Sequence, residues 1–99
     1  MDYRLIYTKP AERDLEEIVR YIAQDRPQAA STFGLALVEL AESLIAFPLL
    51  GSALRHRPGV RKLVHSPCVV LYRVDDARQQ VRILRFWHAK RDPHSLRTD

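Results

Sequence analysis

Ninety-nine residues, 46% of them hydrophobic, with one cysteine and a formal charge of +4, describe one globular domain over 1–99. The lone thiol, Cys68, excludes an intrachain disulfide and a thiolate zinc site, and fits a reducing cytoplasm. The opening MDYRLIYTKP lacks the apolar core of a signal peptide and no apolar run reaches bilayer length, so the expected location is cytoplasmic, with no membrane partner.

Tyr3 to Thr8 is short, aromatic and β-branched and reads as a strand. Thr8-Lys9-Pro10 then opens a helix, with acidic residues clustered near its positive end and Ala11, Leu15, Ile18, Val19, Ile22 and Ala23 forming one apolar stripe. Pro27 ends that helix region and starts a second. There Ala30, Phe33, Leu37, Leu40, Leu44 and Phe47 step by three and four along one seam until Pro48 and Gly51. So short a connection makes the two helices an antiparallel hairpin.

GSALRHRPG, residues 51–59, is rich in breakers and reads as a loop. Three β-rich runs follow, Val60–Val64, Cys68–Val74 and Val81–Trp87, joined by turn-length connections that make them antiparallel neighbours. The middle run is apolar on both faces and is expected to be central. The expected fold is α+β: a strand, an antiparallel helical hairpin, then a three-stranded antiparallel sheet, with the helices on one sheet face and the other partly open.

Charge divides along the chain. Residues 1–51 carry five Lys+Arg against eight Asp+Glu (−3), and residues 52–99 carry eleven against four (+7). The second half is expected to face an anionic partner, nucleic acid or acidic peptide, although arginines that merely solvate a surface would give the same count.

Nucleotide-binding glycine loops, HExxH and paired-cysteine spacings are all missing, and the four histidines have no metal-ligand spacing, so neither a cofactor nor a metal is expected. One chemistry remains open. Cleaving RNA through its 2′-hydroxyl needs an acid, a base and cations around the phosphate, and His88, Arg61 and Arg91 are the residues that could supply them. Each has a plainer reading: His88 packed beside Trp87 or bonded to backbone, and the arginines in structural ion pairs.

Four stretches taken together, AERDLEEIVRYIAQDRPQAA, FPLLGSALRHRPGVRKLV, VVLYRVDD and VRILRFWHAKRDP, resemble the RelE/ParE superfamily of type II toxin–antitoxin toxins, over nearly the whole chain. The resemblance implies a strand, a helical hairpin and an antiparallel sheet. It also implies one of two activities: ribosome-dependent mRNA cleavage in the RelE-like branch, or inhibition of DNA gyrase by binding in the ParE-like branch. RelE-like nucleases carry an arginine in the central strand where Val69 stands here, and a tyrosine or histidine near the C-terminus where only His94 could serve. Arg91 matches their strand-end arginine. Losing one such phosphate donor costs ~10²–10³ in rate, and the helical hairpin is ParE-like, so the resemblance points to a non-enzymatic gyrase inhibitor causing growth arrest. Its target-binding residues would be Arg61, Lys62, Arg85, His88, Lys90 and Arg91. The implied partner is a cognate antitoxin whose C-terminal segment is disordered when free and docks on Leu35, Val38 and Ile45. The alternatives are a metal-independent ribosome-dependent endoribonuclease and an inactive member that serves only its antitoxin.

Overall fold

A computed structural model describes residues 3–90. Its elements run β1 (Arg4–Tyr7), α1 (Lys9–Ala23), α2 (Pro27–Glu42), a 3₁₀ turn (Ser43–Ile45), β2 (Ser52–Ala53), β3 (Val60–His65), β4 (Cys68–Asp75) and β5 (Gln80–His88). Arg91 and His94 lie outside the described residues.

The strands form one sheet in the order β1-β5-β4-β3-β2, with β4 central as its two-sided apolar pattern requires. β3, β4 and β5 are successive antiparallel neighbours. The sheet exceeds the expected three strands at both edges. β1 pairs parallel to β5, Leu5 opposite Val81 and Tyr7 opposite Ile83. β2 forms within the segment expected to be a loop, Ser52 opposite Lys62 and Ala53 opposite Arg61.

α1 starts as its sequence dictates. Thr8 is extended, its hydroxyl accepts the Ala11 N–H at 3.4 Å, and Pro10 occupies the first turn. The same hydroxyl donates to the carbonyls of Ile83 and Leu84, at 2.8 and 3.2 Å, so the cap also ties the helix start to β5. Both helices cover one sheet face. Ala11 and Ile18 of α1, Leu37 and Ala41 of α2 and Leu44 of the turn bury against Cys68, Val70, Tyr72, Val81, Ile83 and Phe86.

The second helix is shorter than its seam. After Glu42 the chain tightens to 3₁₀ winding, where Ser43 Oγ bonds the Leu40 carbonyl at 2.5 Å. That change of winding removes Phe47 from the buried stripe, leaving it 64% exposed. The segment that follows is clamped from the sheet. The Tyr72 hydroxyl donates to the Pro48 carbonyl and accepts the Gly51 N–H, both at 2.8 Å, and Arg61 Nη1 donates to the Gly51 carbonyl at 2.6 Å. Gly51 is needed there, because a Cβ would collide with the Lys62 carbonyl and come within 2.9 Å of the Tyr72 ring.

Candidate functional site

Strand alternation sorts the basic half into two faces. The helix side takes Arg61, Leu63 and His65 of β3, Cys68, Val70 and Tyr72 of β4, and Ile83, Phe86 and His88 of β5. The open side takes Val60, Lys62 and Val64, then Val69, Leu71 and Arg73, and across from them Arg82 and Trp87. On that open side Leu54, Val60 and Leu71 form a second buried cluster, flanked by Val69 and Leu84.

Two of the three residues that could form a phosphate-cleaving cluster, Arg61 and His88, do not meet. His88 is 7% exposed and lies under the helices, its ring 5.6 Å from that of Tyr21 and 6.5 Å from that of Phe33. Arg61 is engaged with the Gly51 carbonyl. Arg61 stands opposite Tyr72 and His88 opposite Cys68, on different strands flanking β4. Their partners are four residues apart on β4, so the two are displaced by ~13 Å along the strand direction alone. Arg91, the third member, lies outside the described residues. Val69 faces the open side in a cross-strand apolar row with Val64 and Trp87.

Among the remaining residues expected to bind the target, Arg85 sits beside the register shift in the β4–β5 pairing and reaches Asp14 of α1, Nε at 2.6 Å and Nη2 at 3.0 Å. That hydrogen bond holds its guanidinium proton more tightly than usual. Lys90 is exposed just after β5, beside a surface cleft lined also by Tyr21, Asp25, Arg26, Pro67 and His88. Lys62 lies on the open side.

Sequence reading missed Arg4, Arg73 and Arg82. Arg73 stands directly opposite Arg82, and Arg4 lies on the neighbouring strand opposite Gln80, two residues from Arg82. The signal was present in part: Arg73 follows Val69 and Leu71 at intervals of two, which assigns it to their face. Its juxtaposition with Arg82 depends on pairing register.

The hairpin carries a different surface. Leu35 is 60% exposed, and Val38, one turn on, lines a shallow cleft with Tyr7, Glu12, Leu15 and Glu16. Ile45 is half-buried in the 3₁₀ turn. Beyond it Phe47, Leu49 and Leu50 form a run of exposed apolar residues on the clamped segment, which sequence reading had not singled out. Among the described residues, no group of three or more His, Cys, Asp or Glu could hold a metal ion, and no helix is long and apolar enough to cross a membrane.

A family model described as the ParE toxin of type II toxin–antitoxin system, parDE, matches residues 5–93. The chain belongs to the ParE toxin family. Solved structures agree with this placement of the toxin. It is similar to a chain of the chromosomal ParDE TA system from P. aeruginosa, at 26% identity and a TM-score of 0.76, over 87% of this chain and 95% of that one. It is similar also to a chain of the toxin–antitoxin complex RelBE2 from Mycobacterium tuberculosis, at 32% identity and a TM-score of 0.67, over 89% and 99%. The intact E. coli RelBE toxin–antitoxin complex, at 19% identity and a TM-score of 0.68 over 88% and 96%, shares the fold. No curated protein matches the chain. The RelE/ParE resemblance of the sequence and the α+β fold it implies therefore both hold, and the toxin is a type II toxin–antitoxin toxin of ParE/RelE fold.

Proposed function

We propose that this toxin works by binding: it inhibits DNA gyrase in the cytoplasm, arrests growth, and is neutralised by a cognate antitoxin. The observation that carries a binding mode is the dispersal of Arg61 and His88, one committed to the Gly51 carbonyl and the other beneath the helices. General acid–base cleavage needs its groups within hydrogen-bond reach of one phosphate, and ~13 Å of strand between two of them leaves no common reaction centre. The ParE family match supports gyrase over the ribosome as the target.

The antitoxin contact falls on Leu35, Val38 and Ile45. They follow one another along α2 and its 3₁₀ extension, and Val38 opens onto a cleft with apolar walls and the carboxylates of Glu12 and Glu16 at its rim. An amphipathic segment laid there would bury its apolar side and meet those acids with cationic positions. The similarity to chains from toxin–antitoxin complexes supports such a partner.

Purified toxin added to a gyrase supercoiling reaction should inhibit it, and antitoxin should reverse the inhibition. Primer extension on translating ribosomes should give no codon-linked cleavage. Cuts that disappear in His88→Ala would replace this reading with the endoribonuclease one.

A further inference from the structure

The open sheet face brings cations together where sheet energetics disfavours it. Arg73 and Arg82 are direct cross-strand partners on β4 and β5. Like charges directly opposed across an antiparallel pair are destabilising, so a sheet built for stability alone would not place them there. Arg4 extends the group on β1 and Lys62 on β3, giving a diagonal band over four adjacent strands. At one strand spacing per step the band is ~14 Å across. Arg73 donates one bond, from Nη1 to the Pro58 carbonyl at 3.3 Å, leaving most of its donors available. Among the described residues, Arg4, Lys62 and Arg82 have no ion-pair partner. Asp75, the carboxylate at the end of this face, is turned to the Arg78 amide at 3.1 Å and the Arg78 guanidinium.

We propose that this band grips the phosphate backbone of a nucleic-acid duplex. Guanidinium forks match phosphate oxygens, and an anion between Arg73 and Arg82 would turn their repulsion into a shared site. The ground beneath the band argues against an amphipathic peptide. Val60 and Leu71 are 2% and 1% exposed, so the apolar side chains offered there are the half-buried Ile6, opposite Arg82, and Leu84, too few to seat an apolar helix face. The described band itself holds no aromatic ring on which an unpaired base could stack, since Trp87 lies on the apolar row with Val69, ~13 Å along β4 from Arg73 and ~7 Å from the Lys62–Leu71 pair. A duplex backbone needs neither. The inference deepens the gyrase reading, resting on it only for which DNA is met in the cell.

The test is fluorescence anisotropy of the full-length toxin on a short labelled DNA duplex, with Lys62→Gln, Arg73→Gln and Arg82→Gln combined as the variant. Four phosphate contacts predict that wild-type affinity falls about 10²-fold between ~50 and ~200 mM salt, and that the variant, keeping Arg4, falls about three- to four-fold. At low salt the variant should bind at least about tenfold more weakly, with a Tm equal to or above wild type because the Arg73–Arg82 repulsion is gone. Equal affinities, a lowered Tm, or tighter binding of single-stranded RNA or polyglutamate than of duplex would overturn the proposal. Wild-type inhibition of gyrase without duplex binding would sink this inference alone. Variant-sensitive duplex binding without gyrase inhibition would sink the gyrase reading alone.

Discussion

Asp14 holds Arg85 by two hydrogen bonds, and one of the same carboxylate oxygens accepts the Phe86 N–H at 3.1 Å. β1 pairs with β5 only as far as Ile83, so among the described residues the edge beyond has no strand neighbour. A helix side chain replaces the missing strand and closes an edge that would otherwise invite pairing with another chain. Asp14→Ala removes an ion pair and also strips the Phe86 amide of its acceptor. Urea denaturation should show a loss of about 1–2 kcal/mol, discounted for the half-exposed guanidinium. Arg85→Ala, which leaves the amide satisfied, should cost under ~1 kcal/mol. Equal costs for the two would mean that the edge amide plays no part.

The Tyr72 clamp should be measurable through one oxygen. Tyr72→Phe keeps the buried ring and deletes the hydroxyl that serves Pro48 and Gly51. The expected cost is about 1–3 kcal/mol, the desolvation penalty of groups left unsatisfied. Amide exchange at Gly51 should rise more than the global loss explains, since the exposed Phe47–Leu50 segment hangs on this bond. An unchanged Gly51 exchange rate would show the segment to be held by other contacts.

Alkaline pH should destabilise the fold through Cys68. Burial pushes its thiol from about 9 up to about 12. Above pH 9 the unfolded chain releases this proton while the folded chain retains it. Stability contributed by the neutral thiol is therefore complete below about pH 9 and is lost as pH rises toward 12. The limiting slope for one proton is ~1.4 kcal/mol per pH unit. Tyr72, raised chiefly by burial, adds to the loss only from about pH 10. Between pH 9 and 10 the slope should belong mainly to Cys68 and should flatten in Cys68→Ala. A slope that survives the substitution would assign it elsewhere.

Leu35 and Val38 should matter to the antitoxin and little to folding. Leu35→Asp exchanges a mostly exposed side chain, so Tm should move by no more than a few degrees, a cost of about 0.5 kcal/mol. Calorimetric affinity for the antitoxin should fall about 10- to 100-fold for Leu35→Asp and Val38→Asp, the range for burying an unpaired charge against a partner. Affinity within about twofold of wild type would move the antitoxin site off α2.

Much of this architecture was legible along the chain because it obeys short-range rules. Thr8, Pro10 and Pro27 act within one helical turn, and the seams of α1 and α2 repeat within a few residues. β3, β4 and β5 show themselves by β-branched runs between turn residues, and the apolar character of Val69, Val70 and Leu71 put β4 at the centre. Tertiary contacts alone decided what the cations do. β1 found β5 across more than 70 residues, and no local signal marks a parallel partner so distant. The alternation of a strand separates its side chains into two sets without saying which set meets the helices. That left His88 open in the sequence, while packing sent it beneath Tyr21 and Phe33. Arg61, Arg85 and Arg73 are the same residue in composition. Register and edge position gave them separate tasks, a loop clamp, an edge cap and half of an opposed cationic pair, because a guanidinium bonds to whatever acceptor the fold brings within reach.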